Sequence, residues 1–324
     1  MSPDPTTALA EHRERLLRLG YRMLGSWQDA EDVVQEVSVE YLRAPVPANP
    51  GGWLTTVTVR RSIDALRARQ RGPEYVGPWL PEPLLDGPAP GQLTQRIEDP
   101  AESAERLDTL STGFLLLAEA LTPPQRAVLV LRSLDTSHAE VAEALGISVP
   151  ASRQLERRAK QALAQHEPGG LPGDARTEES LLAAFLRAAR DGDVAALTGL
   201  LHDQVIAYND GGGRTRAALR PLIGPERVAR FAAGVSGLHE RQTVRAVWAN
   251  GRPARVVTLS GVPHLVTIEA RDGRIFRITD LSNPDKLSQL PEAGPINQPG
   301  TPVTRRTAPE PDRPAAASSR PRSG

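Results

Sequence analysis

The chain has 324 residues, room for two or three domains, and its 39 Lys and Arg balance 39 Asp and Glu to a formal net charge of zero. That balance excludes a protein that coats nucleic acid through bulk positive charge, so any polyanion contact must be local. The absence of cysteine excludes disulfides, thiol nucleophiles and thiolate metal sites. With no apolar run near the roughly 18 residues a membrane span needs, and no charged-then-apolar leader, the expected protein is soluble and cytoplasmic.

Residues 5–71 read as helical, because Leu16, Leu17, Tyr21 and Leu24, then Val33, Val34, Val37 and Leu42, recur at three and four. Only the Thr/Val-rich run 55–59 carries a strand signal. Within this block, 25–42 holds Asp29, Glu31, Asp32, Glu36 and Glu40 beside the Val33/Val34/Val37 seam. Such a helix suits a partner helix or packing inside its own domain, and its acids do not suit DNA. The next stretch, 53–71, has the opposite sign, with Arg60, Arg61, Arg67, Arg69 and Arg71 against Asp64. Arg60, Arg67 and Arg71 share a helical face with Trp53, a pattern that fits phosphate contacts plus a stacking plate for an unstacked base. A solvated amphipathic face with Trp53 in the core is the alternative.

Residues 72–103 form a linker: Pro73, Pro78, Pro81, Pro83, Pro88, Pro90 and Pro100 exclude a continuous helix, and from Glu74 to Asp108 eight acids face two arginines. Residues 104–167 return to helical periodicity. Counting from His138, the residues Val141, Ala142, Leu145, Gly146, Ile147 and Leu155 meet a helix-turn-helix template, and Ser152 occupies a usually apolar position. The second helix, about 149–165, bears Arg153, Arg157, Arg158 and Lys160 with Glu156, a basic face for a major groove. A helical hairpin that contacts protein is the alternative.

A break at Pro168–Gly173 precedes 175–290, which starts helical over 178–201 and then turns β-rich at Val205–Asn209, Thr243–Ala249, Ala254–Ser260, Leu265–Arg271 and Arg274–Thr279. Asn250-Gly251 and Asp272-Gly273 are hairpin signals, so this block is expected to be α+β with four to six antiparallel strands. Residues 291–324, rich in Pro, Ala and Ser, are expected to be disordered.

The segments YRMLGSWQDAEDVVQEV (21–37), GGWLTTVTVRRSIDALRARQR (51–71) and LTPPQRAVLVLRSLDTSHAEVAEALGISVPASRQLERRAKQAL (121–163) together resemble the extracytoplasmic-function sigma factors of bacterial RNA polymerase. WLPEP (79–83), DGGGR (210–214) and NPDKL (283–287) resemble the signature strings of the subgroup with a C-terminal SnoaL-like extension, with Arg214 in place of the usual lysine. The implied architecture is multidomain: two all-α sigma domains, the second a helix-turn-helix, then an α+β cone. The resemblance implies promoter-specific initiation with polymerase core, through Asp29, Asp32, Gln35 and Glu36 on the clamp helices of its largest subunit.

It further implies −10 contacts from Asn49 in the 44–52 loop, Trp53, Arg60, Arg61, Arg67 and Arg71. Arg60 stands where many relatives have asparagine, so their −10 preference does not transfer. The −35 contacts fall to Ser152, Arg153, Arg157, Arg158 and Lys160. A regulatory contact in cis is implied for Trp79, Leu80, Pro81, Glu82 and Pro83 with Asp210, Gly211, Gly212, Gly213 and Arg214 and with Asn283, Pro284, Asp285, Lys286 and Leu287. No separate anti-sigma protein is expected, and a small ligand of the C-terminal domain is a further partner class. SnoaL-like cones can be enzymes, but His202, Tyr208, Asp210 and His264 show no spacing that demands catalysis, so no enzymatic activity, metal or cofactor is expected. A helix-turn-helix regulator that acts without polymerase core is the second reading.

Overall fold

The computed structural model describes residues 5–85, 111–166, 173–239, 242–288 and 290. The expectations for most of the acidic linker and for the tail lie outside them.

Three helices open the chain: α1 (Pro5–Leu24), α2 (Trp27–Arg43) and α3 (Pro50–Arg71). Gly25, at φ +68°, ends α1, and the Ser26 hydroxyl accepts the Asp29 N–H to start α2. Asn49 caps α3 by accepting from Gly52 N, with Pro50 in the first turn. The expected strand signal at 55–59 is overruled. Leu54, Thr58, Val59, Ser62, Ile63 and Leu66 are buried at helical spacing inside α3, so packing of one face wins over β-propensity.

The helices α4 (Thr112–Leu117), α5 (Pro123–Ser133), α6 (His138–Leu145) and α7 (Val149–His166) follow. Ser137 and Glu140 form a capping box at the start of α6, and Gly146, at φ +66°, makes the turn into α7. The apolar side chains of α1–α3 and α4–α7 form one continuous core, from Leu16 and Tyr21 through Leu54 and Ile63 to Leu115, Leu131 and Ala159. Arg126 of α5 is the polar tie across it, 2% exposed, donating to Met23 O at 2.8 Å, Ala118 O at 3.1 Å and Glu119 at 2.6 Å. Burial lowers its pKa and the Glu119 carboxylate opposes that shift.

The C-terminal part begins with α8 (Ala175–Asp191) and α9 (Val194–Leu200). The single helical stretch expected over 178–201 is therefore two helices, because Gly192 closes α8 at φ +69° and Asp193 caps α9. A six-stranded sheet follows: β1 (Leu201–Asp210), β2 (Leu222–Ile223), β3 (Gln242–Ala249), β4 (Arg252–Leu259), β5 (Val262–Arg271) and β6 (Arg274–Leu281), with α10 (Pro225–Gly237) after β2. Strand order is β2-β1-β6-β5-β4-β3. Pairing is antiparallel except between β1 and β6, which run parallel, a correction to the all-antiparallel expectation. Asn250-Gly251, Ser260-Gly261 and Asp272-Gly273 all take positive φ at both positions, the backbone of two-residue hairpins that match strand twist.

Alternation along the strands gives the sheet two apolar faces. Val257, Val266 and Ile278 face α8 and α10, whereas Ala254, Val256, Leu265 and Leu281 face the other way and pack on Leu80 and Leu85. The proline-rich segment thus serves as the second cover of the sheet. Replacement of Arg126 by leucine removes one donor each from Met23 O, Ala118 O and Glu119, and is expected to destabilise the helical core by about 2 kcal/mol, read as a lowered urea midpoint.

Candidate functional site

Within the helix-turn-helix, Arg153, Arg157, Arg158 and Lys160 lie exposed along α7. Ser152 does not join them. It is fully buried where α6 crosses α7, with its hydroxyl 2.9 Å from His138 Nδ1, so its assignment to the DNA face is corrected. The hydroxyl at a usually apolar position is satisfied by a histidine fourteen residues earlier.

On α3, Arg60, Arg61, Arg67 and Arg71 are exposed, with Arg61 paired to Glu40 at 2.7 Å and Arg67 to Asp64 at 3.4 Å. Trp53 is half-buried and tilted against Tyr41, ring centres 5.5 Å apart. Arg60 Nε donates to Ala144 O at 2.9 Å, at the C-terminal end of α6. A guanidinium suits those unpaired helix-end carbonyls. Arg69 of the same helix bonds Leu24 O at 3.1 Å and Glu119 at 2.8 Å. Asp29, Asp32, Gln35 and Glu36 are exposed on α2.

The strings WLPEP, DGGGR and NPDKL meet at one place. Asp210, fully buried at the end of β1, accepts from Tyr75 OH at 2.6 Å, Leu80 N at 2.9 Å, Gly212 N at 2.9 Å and Lys286 Nζ at 2.8 Å. Lys286 also donates to Leu80 O at 2.6 Å. Burial pulls the Lys286 pKa down to about 8 against the opposing charge of Asp210, and raises that of Tyr75, helped by its bond to Asp210. The Asn283 amide donates to Tyr75 OH at 2.8 Å, and Arg214 pairs with Asp285 at 3.3 Å in the open.

Leu80 fills the apolar groove on the sheet. Two cations approach the Trp79 ring, Arg69 at 4.6 Å and Lys286 at 4.3 Å from its centre. Its outer edge lies against Gly25, where a Cβ would meet the ring at 2.6 Å.

The far end of the string grips the first domain. Glu82 accepts from Trp27 N at 2.7 Å, placing a carboxylate on the N-terminus of α2, and its own N–H bonds Gly25 O at 2.8 Å. Burial raises the Glu82 pKa against these backbone bonds. Asn250 in the β3–β4 hairpin donates its side-chain amide to Tyr21 OH at 2.7 Å and its backbone N–H to Leu84 O at 2.7 Å, while its Oδ1 accepts from Leu84 N at 3.2 Å. Sequence reasoning missed Tyr75, Tyr21, Arg69 and Asn250. A hairpin Asn-Gly signals only a turn, so its use as a docking peg has no local signature.

The helical face of the sheet leaves a cavity of about 270 Å³ lined by Phe185, Val228, Phe231, Val257 and Ile278, with Asn209, His264 and Asp280 among its walls. His264 Nδ1 lies 2.9 Å from Asp280 Oδ1. Burial lowers the His264 pKa, but the bond and charge of Asp280 outweigh it and the net shift is upward. Of the four groups singled out for chemistry, only His264 lines this space. His202 packs edge-on to Phe276, Tyr208 faces the linker side of the sheet, and Asp210 belongs to the clamp. Asp280 and Asn209 went unnoticed, although each is two residues along its strand from a cavity-facing apolar residue, Ile278 and Ala207.

A basic helix-turn-helix packed on a three-helix domain of split charge, followed by an α+β cone, defines a multidomain transcription initiation factor. Family models for Sigma-70 region 2 match residues 9–72, and those for Sigma-70, region 4, match 113–163. The chain is 34% identical over 299 residues to the ECF RNA polymerase sigma factor SigJ of Mycobacterium tuberculosis, covering 86% of this chain and 92% of that one. It is 28% identical over 298 residues to the probable ECF RNA polymerase sigma factor SigI of the same species, covering 89% and 96%. A crystal structure of M. tuberculosis SigJ superposes with a TM-score of 0.64 at 30% identity, over 85% of this chain and 95% of that one.

The chain belongs to the extracytoplasmic-function sigma factors of RNA polymerase, in the subgroup with a C-terminal SnoaL-like domain. It binds polymerase core and promoter DNA and directs promoter-specific initiation. Among the described residues, no helix is long and apolar enough to cross a membrane.

Because the His264 pKa is raised in the fold, the stabilisation from its pair with Asp280 is complete below the unfolded value of about 6.5 and is lost as pH rises through the folded value. In Asp280→Asn burial alone remains. NMR titration of the His264 ring is expected to give a pKa below about 6.5 in that variant and above it in the parent.

Proposed function

We propose that residues 175–290 hold this sigma factor closed in cis, and that release of the Tyr75–Pro83 strip from Asp210 and Lys286 frees the promoter-binding domains. The observation that carries this reading is the bond from Arg60 of α3 to Ala144 O of α6. The −10 and −35 elements lie about 25 base pairs apart by their names, roughly 85 Å of duplex at about 3.4 Å per pair. Helices in direct contact cannot reach both, so promoter binding requires α3 and α6 to part. The clamp opposes that parting, because one proline-stiffened strip is fixed to α2 through Glu82 and to the sheet through Leu80, Asp210 and Lys286. Tethering keeps the two sides at high local concentration, so no separate anti-sigma protein is needed for silencing.

In the opened form, Arg153, Arg157, Arg158 and Lys160 read the −35 duplex. Asn49, Trp53, Arg60, Arg61, Arg67 and Arg71 hold the opened −10 strand. Asp29, Asp32, Gln35 and Glu36 dock on the clamp helices of the largest polymerase subunit, an acidic patch being free for that purpose on α2. The site of action is the cytoplasm, with the polymerase.

Transcription from the cognate promoter by core enzyme with three chains tests the closure: full length, truncated near Pro291, and truncated near Leu171. The truncation near Leu171 is expected to raise promoter binding and output several-fold, and the one near Pro291 to match the full chain. Equal output from all three would remove the regulatory role. Arg157→Ala and Arg158→Ala are expected to weaken −35 binding and each to lower its salt slope by about 1, while Asp32→Ala weakens core binding and leaves DNA binding unchanged.

A further inference from the structure

The strands of the C-terminal domain bring three polar side chains to the apolar cavity under α8 and α10. Asn209 on β1 is the register partner of Asp280 on β6, and Asp280 is the partner of Val266 on β5, two residues from His264. All four therefore share the face that lines the cavity. Asn209 is only 5% exposed, and its amide Nδ2 is buried without a hydrogen-bond partner. A buried donor left unpaired costs free energy, and an oxygen brought in by a guest recovers it. The cavity, at about 270 Å³, sits at the small end of the range of small-molecule sites and has their apolar lining.

We infer that this cavity binds a small, neutral, largely apolar molecule that carries a carbonyl oxygen, with the Asn209 amide donating to that oxygen. Phe185, Phe231 and Val257 supply the apolar walls. Asp280 sets the charge of the ligand, because a buried carboxylate beside Asn209 disfavours an anion. That same carboxylate is already matched by His264, which leaves no unpaired negative charge to attract a cation. With Nδ1 committed to Asp280, His264 keeps Nε2 as a second polar contact for a hydroxyl or a second oxygen. The arginines at the wall do not alter this: Arg255 is paired to Glu179 at 3.1 Å, and Arg187 and Arg190 are exposed to solvent. The inference does not rest on the closed-form reading, since binding is a property of the full chain without polymerase or DNA.

The test uses two probes of nearly equal shape, 2-acetylnaphthalene and 2-ethylnaphthalene, titrated into the full-length chain by calorimetry. The ketone is expected to bind about tenfold more tightly than the hydrocarbon, the margin one recovered hydrogen bond gives. Asn209→Leu, which keeps the volume and removes the donor, is expected to abolish that preference while still binding the hydrocarbon. In the parent protein the side-chain amide resonances of Asn209 should shift with the ketone and not with the hydrocarbon, a readout independent of the variant's folding. The inference is overturned by failure of the parent to bind either probe, by equal affinity for both, or by an Asn209 amide that does not respond to the ketone.

Discussion

A carboxylate removed from water must be met by donors or it destabilises the fold that buries it. Asp210 is such a group, and its four donors come from three parts of the chain: its own glycine turn, the NPDKL segment and the linker. Only the first is local. The ordering of Tyr75, Leu80 and Lys286 follows from the need to satisfy this one side chain. The position of the strip over the sheet, and the reach of Glu82 to the first domain, follow in turn from that ordering.

The interface this creates differs from an ordinary domain contact. Leu80 and Leu85 cover an apolar sheet face that would otherwise be open, while Glu82 supplies a cap to α2 that the local sequence supplies only in part through Ser26. Each domain therefore borrows structure from the strip. Trp79 adds attraction to both parts of the chain, with a cation of α3 and a cation of the C-terminal segment each near its ring. In the opening we propose, release of the strip leaves several groups unsatisfied at once, which favours an all-or-none transition over a graded one.

Much of this architecture can be read in the residues. Capping signals such as Ser137/Glu140 and turn pairs such as Asp272-Gly273 announce their elements, because they act over four residues or fewer. The β1–β6 pairing has no such marker, since parallel neighbours at opposite ends of a domain meet only through the completed sheet. Ser152 looks like a flaw in the helix-turn-helix pattern until His138 is seen to bond it. At the cavity, alternation along each strand is visible, but the register that sets Asn209 beside Asp280 is not. At the clamp, three strings stand out, whereas Tyr75 and Asn250 look like ordinary linker and turn residues until partners distant in sequence are known.

The parallel pairing of β1 with the final strand has a consequence for the birth of the molecule. Ribosomal synthesis delivers both promoter-binding domains before β6 and Lys286 exist, and at about 5–20 residues per second the interval from the end of α7 to Lys286 lasts on the order of ten seconds. Until β6 is laid beside β1, the sheet is unfinished and Asp210 lacks its lysine. A chain still on the ribosome thus carries both of its sigma domains before Asp210 has its lysine partner.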